Sequence, residues 1–321
     1  MAQSILKRLA PVLGVVAALL AAAAAPAAAT SGTQVLVSFD RAFGNTAPFV
    51  GAAGAVRGVG AAGLPWAVRE AHATVLTDGQ LFVSVRGLVL ADDPSVPAAL
   101  RGVNPVPAFA AIVSCLTPAA GGGITTTNVI TGNVAAGPAG DADIFQQLAL
   151  PSPCVAPVVM VTSPNGGAWF AATGSATGAG QVATQRFTSA FGNTAPFLGA
   201  AGAIQGVNAA GLPWAIAGIF GNIAADGTLN LSVRGLVLAD DPSVPASLRN
   251  TNPVAAFVAV VSCLTSTGGQ VATANVASMS FPADAAGNAF TNQSLTLPQP
   301  CVAPIVFVGP SAGAYFAVTG A

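Results

Sequence analysis

Alternating apolar and polar residues predict a series of short strands. Residues 34–39 (QVLVSF) alternate, and so do the runs at 67–76 and 80–90, which flank Asp78-Gly79. An Asp-Gly pair between two such runs is typical of a β-hairpin, because both turn residues tolerate positive φ. Five more runs follow, at 108–116, 124–130, 142–150, 155–161 and 168–172. Seven or eight strands with turns between them predict an antiparallel β-sandwich or a small barrel.

One segment interrupts this pattern of strands. Asp93 precedes Pro94, which is the arrangement of an N-cap followed by a helix-starting proline. We expect a helix of one or two turns that ends near Leu100.

The pattern occurs twice along the chain. Residues 42–68 and 190–216 agree at 22 of 27 positions with an offset of 148, and residues 84–98 recur unchanged at 232–246. A period of this length is that of a whole domain and is far longer than a solenoid repeat of about 20 to 50 residues. We therefore expect two domains, a first copy at 33–174 and a second copy at 181–320. The small residues 175–180 (SATGAG) are typical of a short linker.

The four cysteines lie at matching places in the two copies. Four cysteines allow three pairings, and duplication favours Cys115 with Cys154 and Cys263 with Cys301, since each copy can then close by itself. Metal binding is the alternative, but two cysteines per copy without a shared histidine supply too few ligands for a zinc site. The predicted fold class is all-β, with two tandem antiparallel β-sandwich (or small barrel) domains that each contain one disulfide.

The N-terminal residues 1–29 have the features of a secretory signal peptide. Lys7 and Arg8 precede an apolar stretch at 12–25, and alanines at 27–29 occupy the positions that a signal peptidase reads. An uncleaved membrane anchor is the alternative. Cleavage before Thr30 would leave a secreted, extracellular protein with no membrane span, and a location at the cell surface is compatible with this.

Charge is scarce outside the signal segment. Charged residues make up 7% of the chain, against about 25% in ordinary soluble domains. After cleavage, eight arginines face eleven carboxylates, a net charge of −3, and no lysine remains. The arginines are scattered singly, which argues against a nucleic-acid partner. Weak charge repulsion between molecules favours self-association.

Two segments match known motifs but lack the neighbouring residues that those motifs require. Residues 58–63 match G-x-G-x-x-G, but Leu64-Pro65-Trp66 follows where a dinucleotide site needs a helix. Residues 309–313 match G-x-S-x-G, but no histidine follows as a nucleophile elbow requires. The equivalent of the single histidine, His72, in the second copy is not ionisable, so nucleophilic chemistry that needs a histidine base has little support.

Two acidic pairs are present in both copies. Asp92 and Asp93 recur as Asp240 and Asp241. Two carboxylates can act as an acid/base pair or can bind calcium together with backbone oxygens. The alternative is turn chemistry, because an aspartate before proline accepts local N–H bonds.

Trp66 and Trp214 lie in the string GLPWA, which both copies share. An exposed aromatic ring there could stack on a sugar or on a partner protein. The alternative is a tryptophan that fills the core of the sandwich.

The strings GLPWAV (63–68), DGQLFVSVRGLVL (78–90), VSC (113–115), LPSPCVAPVVMV (150–161) and WFAATG (169–174) carry a family resemblance. Through them each copy resembles uncharacterised secreted, β-rich, two-cysteine domains of high-GC bacteria. These motifs are structural, so the resemblance implies a fold and no activity. The hairpin is also similar to CHRD domains, which are extracellular β-rich modules, but the histidine-containing segment expected after it is missing. Tandem arrangement fits both families.

Together these features predict a non-enzymatic exported protein without cofactor or metal. It would be a structural or interaction module whose partner is a component of the cell surface or extracellular matrix. The alternative is a ligand-binding module for a glycan, a peptide or calcium, which would use the tryptophan or aspartate loops. A hydrolase that uses carboxylates alone is the third hypothesis.

Overall fold

The computed structural model describes residues 32–175 and 184–321. The signal peptide predicted at 1–29 and residues 176–180 of the predicted linker lie outside the described residues. From Thr33 onward the chain forms one compact unit. It is all-β, with short 3-10 turns at Gly51–Gly54, Ala98–Leu100, Pro164–Gly166 and Gly199–Gly202. No helix in the described ranges is long and apolar enough to cross a membrane.

The predicted strands are present in both copies. The strands of the first copy are β1 (Val35–Phe39), β2 (Ala42–Gly44), β3 (Trp66–Ala67), β4 (Glu70–Leu76), β5 (Gln80–Arg86), β6 (Val89–Leu90), β7 (Ala108–Pro118), β8 (Ile124–Ile130), β9 (Val134–Ala135), β10 (Ala142–Gln147), β11 (Val155–Thr162) and β12 (Trp169–Ser175). Those of the second copy are β13 (Thr184–Phe187), β14 (Ala190–Gly192), β15 (Asn208–Ala209), β16 (Trp214–Ala215), β17 (Gly218–Ala224), β18 (Thr228–Arg234), β19 (Val237–Leu238), β20 (Ala256–Thr267), β21 (Gln270–Ala277), β22 (Phe281–Pro282), β23 (Ala289–Ser294), β24 (Cys301–Gly309), β25 (Ala314–Tyr315) and β26 (Ala317–Thr319).

An eight-stranded antiparallel sheet runs through both copies. Its order is β10-β5-β4-β1-β13-β17-β18-β23. The two copies meet where β1 pairs with β13, with Ser38 opposite Arg186. These two residues occupy the same position in the two copies, so the ladder has the geometry of a local two-fold axis.

A twelve-stranded sheet also joins the copies. The first copy contributes a path of β8, β7, β11 and β12, and β12 pairs with β24 of the second copy. Gly174 lies opposite Val302 in that ladder. The equivalent contact with the two copies exchanged is a β-bridge between Gly320 of the second copy and Val155 of the first. The two sheets thus connect the copies at three points.

Each copy has its own core between the two sheets. Alternate residues of the strands point inward and are buried, as in β5, where Leu81, Val83 and Val85 are fully buried. The predicted disulfides are confirmed: Cys115 is bonded to Cys154 and Cys263 to Cys301, all four in these cores. Cys115 lies on β7 and Cys154 directly precedes β11, while Cys263 lies on β20 and Cys301 begins β24, so each bond links two neighbouring strands of the twelve-stranded sheet.

Two loops cover the outer face of the twelve-stranded sheet. The loop before β3 packs its Phe49, Val56 and Val59 in a cluster that includes Val302 and Ala303 of the second copy. The equivalent loop of the second copy packs its Phe197, Ile204 and Val207 in a cluster that includes Val155 and Ala156 of the first copy. In each copy, this loop of the repeated segment therefore packs partly against the opposite copy.

The predicted helix at 93–100 is shorter than expected. The N–H of Val96 donates to the carbonyl of Asp93 in a turn, and a single 3-10 turn follows at Ala98–Leu100. Pro97 explains the difference, because a residue before proline disfavours the helical region and the proline has no N–H to donate.

Candidate binding face

Both tryptophans proposed as ligand contacts lie in the cores. Trp66 stacks on Phe170 with ring centroids 4.0 Å apart, and Trp214 stacks on Phe316 at 3.6 Å. Each indole is 3% exposed. The structure therefore places these rings in the core-filling role, which was the alternative to ligand binding.

The paired aspartates are engaged in turns and ion pairs. Asp93 Oδ1 accepts hydrogen bonds from the N–H of Ser95 at 2.8 Å and from its hydroxyl at 2.6 Å. These bonds lower the pKa of Asp93 below its ordinary value. Asp92 forms an ion pair with Arg101 at 3.6 Å instead of facing Asp93.

The second copy repeats this arrangement. Asp241 accepts the same two bonds from Ser243, which lower the pKa of Asp241, and Asp240 pairs with Arg249 at 3.6 Å. Within the described ranges no group of three or more histidine, cysteine, aspartate or glutamate side chains could hold a metal ion. The four carboxylates therefore have local partners and do not converge on a shared site.

His72 lies in a row with a serine and an aspartate on the outer face of the eight-stranded sheet. It is opposite Ser84, and Ser84 is opposite Asp143. A catalytic triad needs the histidine between the other two residues, whereas here the serine is in the middle. Asp143 is also held by Arg86 through two hydrogen bonds of 2.9 and 2.8 Å, which lower the pKa of the aspartate. The order of the row does not support proton relay.

Four exposed phenylalanines lie on this same outer face. Phe82 is 42% exposed, Phe145 71%, Phe220 60% and Phe290 66%. Their neighbours along each strand point into the core, so the rings project to the solvent side. Phe145 is directly opposite Phe82 in the first copy, while Ser232 separates Phe220 from Phe290 in the second. We call this surface the phenylalanine face.

A row of mostly uncharged polar residues crosses the phenylalanine face. The cross-strand partners, taken in order over all eight strands, are Phe145, Phe82, Thr74, Ser38, Arg186, Asn222, Asn230 and Asn292. At a strand spacing of roughly 4.8 Å, the row is about 34 Å long. It is long enough to contact an extended polymer or a broad protein surface.

Arg234 lines two depressions in this face. Two shallow depressions share Ser232 and Arg234, and one extends to Phe220 while the other extends to Phe290. Its guanidinium has no hydrogen bond or ion pair with any described residue. A free cation and a hydroxyl therefore lie between two exposed aromatic rings.

The cavity at the junction of the copies is too small for a ligand. Its volume is about 20 Å³, and its lining includes Phe39, Gln185 and Cys301. Gln185 Nε2 donates to the carbonyl of Pro304 at 3.2 Å, while its buried Oε1 has no partner. This space has the size and polarity for one ordered water molecule.

Sequence reasoning missed the phenylalanine face, although the signal was present. In the run QLFVSVR, Phe82 falls in the polar phase of the alternation, on the opposite side from Leu81 and Val83. An exposed group of large apolar side chains commonly marks an interaction site.

Comparison with protein-family models, with curated proteins and with solved structures gives no match to this chain.

Proposed function

We propose that this chain is an exported, non-enzymatic interaction module that binds a component of the cell surface or extracellular matrix through the phenylalanine face. The observation that carries the proposal is the placement of four exposed phenylalanine rings on one side of one sheet. Solvated aromatic rings weaken solubility, so their concentration on one face is best explained by a partner that covers them.

Export is supported by two independent features. The N-terminal sequence has the charged, apolar and small-residue regions of a secretory signal. Both copies contain a disulfide, and disulfides of this kind persist in oxidising compartments. A resemblance to secreted two-cysteine domains agrees with these features.

The test is co-sedimentation of the purified protein with washed envelopes of the organism that produces it. Two double variants, Phe82→Ser with Phe145→Ser and Phe220→Ser with Phe290→Ser, probe the two ends of the face. An aromatic hot-spot residue in an interface contributes about 2 kcal/mol or more, which is roughly thirtyfold in Kd. Each double variant removes two rings, so we expect at least one of them to raise the Kd by roughly thirtyfold or more.

The matched control is Leu100→Ser. Leu100 is 38% exposed and lies in a 3-10 turn outside the eight-stranded sheet. It should bind as the parent does, and all variants should keep their melting temperature, since surface substitutions usually change stability by less than about 0.5 kcal/mol. Equal binding by the control and both double variants would remove the phenylalanine face from the proposal.

Glycan binding is the second candidate, and Arg234 favours it. A guanidinium and a hydroxyl between two aromatic rings match the hydroxyl, carboxylate and apolar ring faces of an acidic sugar. Protease-treated envelopes that still bind the parent, but not Arg234→Gln, would support this candidate. Loss of all binding after protease treatment would point to a protein partner instead.

A further inference from the structure

Arg57 occupies a tight turn on the outer face of the twelve-stranded sheet. The turn is closed by reciprocal hydrogen bonds of 2.9 Å between the backbones of Val56 and Val59. Arg57 has a φ of 51° and Gly58 a φ of 79°. Positive φ at both central residues is the geometry of a primed hairpin turn, where a bulky residue such as arginine is uncommon.

The backbone and side chain of Arg57 together span three strands. Asn128 Nδ2 on β8 donates to the Arg57 carbonyl at 3.1 Å, and Arg57 Nη2 donates to the carbonyl of Ala156 on β11 at 3.0 Å. Strand β7 runs between β8 and β11, and its Ser114 is opposite Asn128 on one side and Val158 on the other. Arg57 therefore crosses β7 at Ser114.

Two polar atoms in this place are buried and lack a hydrogen-bond partner. They are Arg57 Nη1 and Ser114 Oγ. Ser114 is fully buried, and the end of the Arg57 side chain is enclosed although the residue reaches the surface. Burial lowers the pKa of Arg57 to about 10, so the guanidinium stays charged at neutral pH. No carboxylate among the described residues forms an ion pair with it.

In the second copy, the equivalent position contains a neutral side chain. Gln205 replaces Arg57 in the turn, and Asn275 Nδ2 donates to its carbonyl at 3.0 Å. Ser262, the equivalent of Ser114, forms a hydrogen bond with Gln205 Oε1. The glutamine supplies the acceptor that the serine needs. Arginine has no acceptor, so in the first copy two potential donors face the same space.

We propose that Arg57 and Ser114 form a buried binding site for a single small monovalent anion of about chloride size. Such an anion accepts from both Nη1 and Oγ and supplies the missing counter-charge, whereas an unpaired buried charge is strongly destabilising. A neutral water molecule can bridge the same two groups, but it leaves the charge of the guanidinium uncompensated.

Thermal unfolding tests the proposal when chloride replaces gluconate at constant ionic strength and neutral pH. An anion that binds only the folded state raises the melting temperature of the full chain with chloride concentration. We expect a rise of about 2–4 °C at a tenfold excess over the dissociation constant. Arg57→Gln, which copies the second-copy arrangement, should lose this rise, and Ser114→Ala should weaken it. General salt effects cancel in the comparison between the parent and Arg57→Gln.

Bromide provides a second readout that does not depend on the variants folding. In crystals of the parent grown with bromide, anomalous scattering should place one ion within hydrogen-bonding distance of Arg57 Nη1 and Ser114 Oγ. No ion should lie at Gln205 and Ser262. A melting temperature with the same chloride dependence in the parent and Arg57→Gln, or a water at this position in place of bromide, would overturn the proposal.

Discussion

Gly174 should be indispensable for the connection between the two copies. Its φ of 150° is rarely adopted by residues with a side chain, and a Cβ added there would lie 2.6 Å from the carbonyl oxygen of Cys301 and 2.9 Å from the Cα of Val302. Both atoms belong to the backbone of the other copy, so no side-chain rotation relieves the contact. The substitution Gly174→Ala must therefore strain the residue and push β12 away from β24.

The expected loss of stability follows from these two effects. An alanine in an unfavourable positive-φ conformation costs about 1–2 kcal/mol, and forcing an extra carbon into a packed contact costs about 1–3 kcal/mol. We expect Gly174→Ala to lower the free energy of unfolding by about 2–5 kcal/mol. Gly320→Ala should behave similarly, since its Cβ would lie 2.5 Å from the carbonyl oxygen of Cys154.

Urea unfolding followed by tryptophan fluorescence measures this loss. The matched control is Gly63→Ala, because a Cβ at Gly63 meets no atom within 4 Å and the backbone there does not have positive φ. That variant should remain within about 1 kcal/mol of the parent. If Gly174→Ala were as stable as Gly63→Ala, the close backbone contact between the copies would be refuted.

Two further predictions concern the disulfides and the aspartate turns. Replacing Cys115 and Cys154 by serine should lower the free energy of unfolding in urea by about 4 kcal/mol. Replacing Cys263 and Cys301 should lower it by nearly the same amount, because the loops of 39 and 38 residues are almost equal. Clearly unequal losses would contradict the loop-closure reasoning. The lowered pKa of Asp93 and Asp241 means that their carboxylates stabilise the fold above the unfolded pKa of about 4 and lose this contribution as the pH falls through the folded value. The double variant Asp93→Asn with Asp241→Asn should therefore show a shallower decrease in urea midpoint on acidification than the parent, and an identical decrease would exclude this role.

The strands were predictable because a half-buried strand imposes a period of two on its residues. The run at 124–130 coincides with β8, and the hairpin at Asp78-Gly79 joins β4 and β5 as expected. The disulfide pairing was predictable from the duplication alone. Short strands such as β3 and β6 were missed or merged with longer runs, because two residues are too few to show a period.

The joining of the copies was not predictable from the residues. Strand β1 alternates in the same way whether its neighbour is β4 of its own copy or β13 of the other, so the pattern carries no information on the second partner.

The candidate sites show a similar limit. A tryptophan near a strand start has the same sequence context whether it is buried or exposed, and only packing decides. Arg57 did leave a signal, as one of five positions that differ between otherwise identical segments.

The local two-fold geometry has a consequence for how the chain arose. A polypeptide with a single copy and the same contacts would pair its first strand with that of an identical molecule and would form a symmetric homodimer. In a homodimer every surface residue occurs twice, so the two halves of a binding face cannot diverge. Fusion of the halves in one gene removes this restriction. Phe82 and Phe145 correspond to Asn230 and Asn292 in the second copy. His72 and Asp143 correspond to Phe220 and Phe290. A single chain with two diverged copies therefore presents one asymmetric surface.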